Sequence, residues 1–209
     1  MNSEIELHSG VMFDPLHPDP EKILLEDIEY SLMQQCRFSG HTSRFYSVVE
    51  HCLFVAEIVE RYSVGSADNV ILAALMHDAT EAYMVDLPTP LKTSSVCDGY
   101  KEAEDRLLGI IASRFGFPFP LPDVVKLADA AALWLEASVL LPSGGRTWSN
   151  YESIGQHFIN NHSDMLHFIQ DGGQCQRAKA SLFRAKVSDL VVNWKGDVYT
   201  WRSGEVAIA

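Results

Sequence analysis

The chain has 209 residues, 47% of them apolar, and 28 acidic against 16 basic residues give a formal charge of −12. That fits one domain with a continuous core and excludes a broad nucleic-acid or anionic-membrane surface. It leaves room for a small anionic ligand, because a metal and a few placed bases can reverse the field inside a pocket.

No apolar run approaches the roughly 18–20 residues that span a bilayer. Glu4 and Glu6 stand where a signal peptide would be basic. The four cysteines, Cys36, Cys52, Cys97 and Cys175, are scattered without a CxxC pair, so no disulfide frame is expected. The expectation is a soluble, cytoplasmic protein with Cys52 serving as a small buried hydrophobe.

Residues 1–20 read as an irregular lead-in punctuated by Pro15, Pro18 and Pro20. Helical periodicity then dominates residues 21–193. A first helix is predicted from 20 or 21 to 35, with Ile28, Leu32 and Gln35 on one face, followed by a loop over 37–47. A second helix carries Val48, His51, Cys52, Val55, Ile58 and Val59 as an inward stripe. After a turn at Gly65, a third spans about 67–83 and is ended by Asp86-Leu87-Pro88-Thr89-Pro90, since proline cannot continue a helix.

A fourth helix covers roughly 98–115, with Tyr100, Ala103, Leu107, Leu108 and Ile111 facing in. A Pro-rich connection over 116–122 leads to an alanine-rich, nearly all-apolar fifth helix at 123–141, which should be central. Beyond the loop Ser143-Gly144-Gly145-Arg146 the pattern weakens, with a helix of uncertain limits between 154 and 169. A last helix over 174–194 carries Ala178, Leu182, Ala185, Val187 and Leu190, and the tail of 194–209 stays unassigned. There is no internal repeat and no convincing strand set. The class is all-α, a single helical bundle.

Three positions ask for chemistry. His77-Asp78 closes the apolar run of residues 70–76, which a helix turning toward solvent would also explain. His51 lies on the inward stripe, where a hydrogen-bonded core histidine is the ordinary finding. Asp129 sits in Leu127-Ala-Asp-Ala-Ala-Ala-Leu133, and a carboxylate buried there is very costly unless paired or bound to a cation. Glu136, seven residues on, shares its face. One metal held by His51, His77, Asp78 and Asp129 satisfies all of these at once. Glu81 follows at i+4 from His77 and i+3 from Asp78, placed to orient or deprotonate an attacking water, although a solvated helix-end acid reads the same way.

These residues, in the order His51, His77-Asp78, Asp129, resemble the HD-domain metal-dependent phosphohydrolase superfamily. The longer pattern is Cys-Arg37-Phe-Ser-Gly40-His41, then Phe45-Tyr-Ser-Val-Val-Glu50-His51, His77-Asp78-Ala-Thr-Glu81-Ala and Asp86-Leu-Pro-Thr-Pro90-Leu-Lys92. It resembles the YfbR-like branch, which includes deoxynucleoside 5′-monophosphatases. It is more similar still to phage HD hydrolases, among them dATP triphosphohydrolases. The similarity runs from about Gly10 to Leu141.

The resemblance implies metal ligands at His51, His77, Asp78 and Asp129, and acids at Glu81 and Asp86 handling the attacking water and the leaving oxygen. It also implies a phosphate contact at Arg37 and a sugar or base contact at Phe38. His41 and Lys92 are added as bases near the motif ends that could neutralise further phosphate oxygens, solvation being the alternative for each. Two nitrogens and two oxygens suit Mn, Fe, Co, Ni or Zn, with Zn, Co or Mn foremost; Mg prefers all-oxygen sites and could arrive with a triphosphate.

No GxxxxGK[ST] loop and no GxSxG elbow offers another chemistry. The expected activity is hydrolysis of a deoxynucleotide, a dATP-preferring dNTP triphosphohydrolase first and a dNMP 5′-nucleotidase second. A catalytically silent nucleotide-binding module is the alternative from another class, and a structural zinc site is disfavoured for want of cysteine ligands. The resemblance further implies a homo-oligomer, dimer or hexamer.

Overall fold

The computed structural model describes residues 3–63, 65–92, 94–97, 99–170, 175–193, 200–202 and 205–207. The expected helix limits at 98, 174 and 194, and most of the 194–209 tail, lie outside them. The fold is all-α. Among the described residues no helix is long and apolar enough to cross a membrane.

The lead-in is not wholly irregular. Ile5–Glu6 (β1) and Met12–Phe13 (β2) pair antiparallel, and this small hairpin buries Phe13 completely. Further along, Pro20–Lys22 forms one tight turn capped by the Asp19 side chain, and the chain then runs extended through Ile23. The first α-helix, α1, therefore begins only at Leu25 and ends at Gln34. Val48–Tyr62 (α2) starts where the sequence places it, because Ser47 and Glu50 close a reciprocal capping box on its first turn.

The expected helix over 67–83 breaks in two. Asp68–Met76 (α3) ends at His77, four residues of turn follow, and Glu81–Met84 (α4) resumes. The i+3 bonds from Ala79 N to Met76 O and from Glu81 N to Asp78 O tighten the backbone at the His-Asp pair. After Thr89–Lys92 (α5) come Tyr100–Phe115 (α6) and Asp123–Leu140 (α7), close to expectation. The weakly patterned stretch resolves into a π-turn at Tyr151–Gly155 and two short helices, Gln156–Asn161 (α8) and Leu166–Gln170 (α9). Gln176–Asn193 (α10) is the last helix, and Thr200–Arg202 (β3) pairs with Glu205–Ala207 (β4).

Helix α2 is the axis of the core, packed against α1, α3, α7 and α10. Its expected stripe is buried throughout, as are Val49, Phe54 and Ala56. Cys52 is fully enclosed, and burial pushes its thiol up to about 11, which leaves it a neutral hydrophobe. All four cysteines are free thiols.

The inward face of α10 differs from expectation. Ala178 and Ala185 are exposed and Leu182 is 46% exposed, while Lys179, Ala180, Phe183 and Val187 are buried. The stem of Lys179 lies on the core and its ammonium reaches the Glu50 carboxylate. Arg44 (2.9 Å), Gln176 (2.8 Å) and the Ser47 amide (3.0 Å) also bond Glu50.

This cluster ties α10 to the N-terminus of α2, one residue before His51. Although burial opposes ionisation, Lys179, the Ser47 amide and Gln176 hold the Glu50 carboxyl below the ordinary glutamate value. Its stabilisation is therefore present above the unfolded-state pKa and lost as pH falls through the lowered one. Glu50→Ala strands the Lys179 charge and removes the N3 half of the capping box, so thermal unfolding should show a loss of about 3–5 kcal/mol.

Candidate metal centre and adjoining cavity

Three helical segments bring the expected ligands together. His51 comes from the second turn of α2, His77 and Asp78 from the break after α3, and Asp129 from the second turn of α7. His51 Nε2 lies 3.2 Å from His77 Nε2, 3.1 Å from Asp129 Oδ1 and 3.5 Å from Asp78 Oδ2. His77 Nε2 lies 3.3 Å from Asp78 Oδ2 and 3.8 Å from Asp129 Oδ1. His51, His77 and Asp78 form a group that could hold a metal ion.

The imidazoles show why. His77 Nδ1 donates to the Ala74 carbonyl at 2.8 Å, and His51 Nδ1 donates to Glu136 Oε1 at 2.7 Å. Each ring therefore presents Nε2 to the other at 3.2 Å: two neutral rings set lone pair against lone pair, two charged rings set N–H against N–H, and only one shared proton or metal ion satisfies both. A shared cation removes that conflict. Around an ion with bonds of about 2.1 Å, neighbouring donor atoms stand roughly 3.0–3.4 Å apart, close to the spacing found. The donor set fits a transition ion.

The electrostatics agree. Burial presses His77 toward neutrality, but Asp78 outweighs it and holds its pKa well above the ordinary histidine value. Burial and Arg37 oppose protonation of His51, and Glu136 and Asp129 prevail. Against the penalty of burial, His77, His51 and Arg37 keep the Asp78 carboxyl far below its usual range. The cluster attracts positive charge, whether protons or an ion.

One expectation is corrected. The Asp129 side chain is 45% exposed, so it is not an acid sealed among apolar residues. The sealed acid of α7 is Glu136, at 0%. Beyond His51, its Oε1 accepts from the Tyr46 hydroxyl (3.1 Å) and its Oε2 from Arg37 Nη2 (3.4 Å). Burial and Glu136 push the Tyr46 phenol well above its ordinary value, which keeps it a donor.

Arg37 also places Nη1 3.6 Å from Asp78 Oδ2. It stands at the edge of a cavity of about 780 Å³ whose wall includes Phe38, His41, Asp86, Trp134, Trp148 and Asn150. The Phe38 and Trp148 rings lie 6.4 Å apart, and Trp148 lies 5.0 Å from Trp134. A Cβ on Gly155 would stand 2.5 Å from the Trp134 ring, so only glycine lets α8 pack there. Neither Trp134 nor Trp148 was singled out from sequence. Trp134 lies in the apolar helix α7 and Trp148 in a segment with no readable period.

Phe38 and Ser39 both have left-handed backbones, φ 55° and 52°, at the wall beside Arg37. Val85, next to Asp86, has φ 71°, a strained conformation for a β-branched residue. Hydrogen bonds hold that segment: Gln35 Oε1 accepts from Asp86 N (3.1 Å), Gln35 Nε2 donates to Glu81 O (2.9 Å), and the Tyr100 hydroxyl lies 2.8 Å from Met84 O.

Glu81 is 3% exposed with Oε2 unpartnered, and burial, then Asp78 and Asp86, push its carboxyl well above the ordinary glutamate range. Lys92 sits 3.3 Å from Glu81 Oε1 and 2.8 Å from Glu104 Oε1. Its ammonium is engaged by the Glu104 carboxylate and the Glu81 carboxyl, and Lys92 does not line the cavity, whereas His41 does.

No family model matches the chain. It is 36% identical over 152 residues to the uncharacterized protein YfdR of Escherichia coli (strain K12), an alignment covering 73% of this chain and 80% of that protein. It is 41% identical over 126 residues to the uncharacterized protein RCAP_rcc00048 of Rhodobacter capsulatus, covering 59% of this chain and 64% of that one, just short of two thirds of its length. With that identity sustained over most of both sequences, the chain belongs to the same family as YfdR.

Proposed function

We propose that this chain is a metal-dependent phosphohydrolase of the HD-domain type acting on deoxynucleotides. The observation carrying the reading is the convergence of His51, His77, Asp78 and Asp129 side-chain atoms beside an aromatic-walled cavity. Those four residues would hold the ion, Zn, Co or Mn by donor type. Bound there, the ion would supply Lewis acidity toward phosphate oxygens and a water acidic enough to attack near neutral pH.

The chain's own groups account for the remaining steps. Glu81, neutral and with one buried oxygen unpartnered, is a proton donor for the leaving oxygen. Asp86, at the cavity wall with its backbone held by Gln35, is a base for the attacking water. Phe38 and Trp148 offer flat faces to a nucleobase, and the cavity lies within the roughly 300–1,000 Å³ of small-molecule sites. Intact Glu81 and Asp86 speak against a silent binding module.

The charge balance bears on the number of phosphates. Two carboxylates neutralise a divalent ion, Glu136 neutralises Arg37, and Lys92 is bound by Glu81 and Glu104. Among the described residues Arg37 is the sole lysine or arginine lining the cavity. That favours a nucleoside monophosphate over the dATP suggested by the sequence, unless a triphosphate brings its own Mg.

Chromatography of products from dATP and dAMP, each with Mn, Co, Zn or Mg, decides between them. Orthophosphate from dAMP is the expected result, and triphosphate from dATP would reverse the order of the two substrates. No turnover of either nucleotide with any of the metals sinks the whole reading.

A further inference from the structure

Glu136 lies outside the four residues that would hold an ion, yet it touches both His51 and Arg37 of the site. It is fully buried, and three donors converge on its two oxygens: His51 Nδ1 from α2, and the Tyr46 hydroxyl and Arg37 Nη2 from the connection between α1 and α2. A buried carboxylate with three donors is well satisfied, and a core pin needs nothing more. Two features of its contacts go further.

First, the bond to His51 falls on the nitrogen opposite the one facing the site. With Nδ1–H committed to Glu136 at 2.7 Å, the neutral ring carries its lone pair on Nε2, the nitrogen facing the site. A carboxylate behind an imidazole also makes the far nitrogen more basic and fixes the ring's rotation. Second, Arg37 bridges the carboxylates of Glu136 and Asp78 (3.4 and 3.6 Å) while forming part of the cavity wall. Glu136 and Asp78 together balance the Arg37 charge there, and Glu136 is the shorter and wholly buried contact.

We propose that Glu136 is a positioning residue that sets the affinity of the metal centre, locking His51 as an Nε2 ligand and anchoring Arg37 between Asp78 and the cavity. This rests on the metal reading above. Glu136→Gln separates charge from shape, because glutamine keeps an acceptor for His51 Nδ1–H but loses the negative charge facing both His51 and Arg37. Removing such a partner of a ligating histidine typically weakens metal binding about 10–100-fold.

The test uses the full chain stripped with a chelator and titrated with Zn²⁺ by calorimetry, alongside the apo-protein's melting temperature. The expected result is a loss of at least tenfold in Zn²⁺ affinity for Glu136→Gln, with an apo-protein that melts lower because Arg37 loses its buried counter-charge but still unfolds cooperatively. Equal affinity in wild type and variant overturns the role of Glu136 and leaves the metal centre standing. No Zn²⁺ binding by the wild type overturns the metal reading and this inference with it. Should the variant fail to fold, the Zn²⁺-loaded wild type still decides: long-range ¹H–¹⁵N spectra should show His51 protonated at Nδ1 and ligated through Nε2, and an Nδ1-ligated ring overturns the proposal.

Discussion

The His77→Ala protein should retain its fold, purify without stoichiometric transition metal, and hydrolyse nucleotide at least about 10³-fold more slowly at saturating metal. His77 is a candidate ligand with little freedom. It is 7% exposed, its Nδ1 is fixed to the Ala74 carbonyl, and its Nε2 lies within 3.3 Å of both His51 Nε2 and Asp78 Oδ2. Losing it leaves the remaining donors unable to surround an ion and leaves Asp78 balanced by Arg37 and His51 alone.

Asp129→Ala should be milder, because that side chain is half exposed and water can take its place at the ion. Elemental analysis of the purified proteins and single-turnover assays read both effects. Metal content in His77→Ala equal to that of wild type would mean that the ion, if present, is held elsewhere.

How much of this was legible beforehand depended on the scale of the feature. Long periodic stretches were readable: α2 begins at Val48 and α7 at Asp123, as their patterns say, because caps and apolar stripes are local properties. The break at His77–Thr80 was not, since nothing in an apolar run followed by His-Asp announces that the backbone tightens there. Nominating the candidate ligands needed only residue types and order.

Deciding which acid of α7 is buried needed packing. Asp129 and Glu136 share a face at seven-residue spacing, yet Glu136 is sealed against Tyr46 and Arg37 while the Asp129 side chain is 45% exposed. The α10 face misled for a related reason. Alanines tolerate exposure, whereas Lys179 buries its stem when a carboxylate such as Glu50 waits at the end of it. The aromatic wall needed the chain to bring residues 38, 134 and 148 together, which no local signal reports.

Glu81→Gln should bind metal as wild type does and lower kcat about 10²–10⁴-fold. Glutamine matches the shape of a protonated glutamate and preserves the buried packing, but it carries no transferable proton. The argument turns on which form of Glu81 acts. Burial and the nearby carboxylates of Asp78 and Asp86 disfavour its anion, with Lys92 only partly opposing them, so the side chain is a neutral acid at pH values where an ordinary glutamate is charged.

If that acid protonates the leaving oxygen, the rate of the wild type must fall as pH rises through the elevated pKa, because deprotonation removes the donor. Glu81→Gln should lose that descending limb and run flat at its low rate. Lys92→Met removes the cation that opposes the shift, so the limb should move to higher pH while the metal stays bound. A Glu81→Gln enzyme within threefold of wild type would show that the leaving oxygen draws its proton from another group, and Asp86, on the same Gln35-held segment, is then the acid to test.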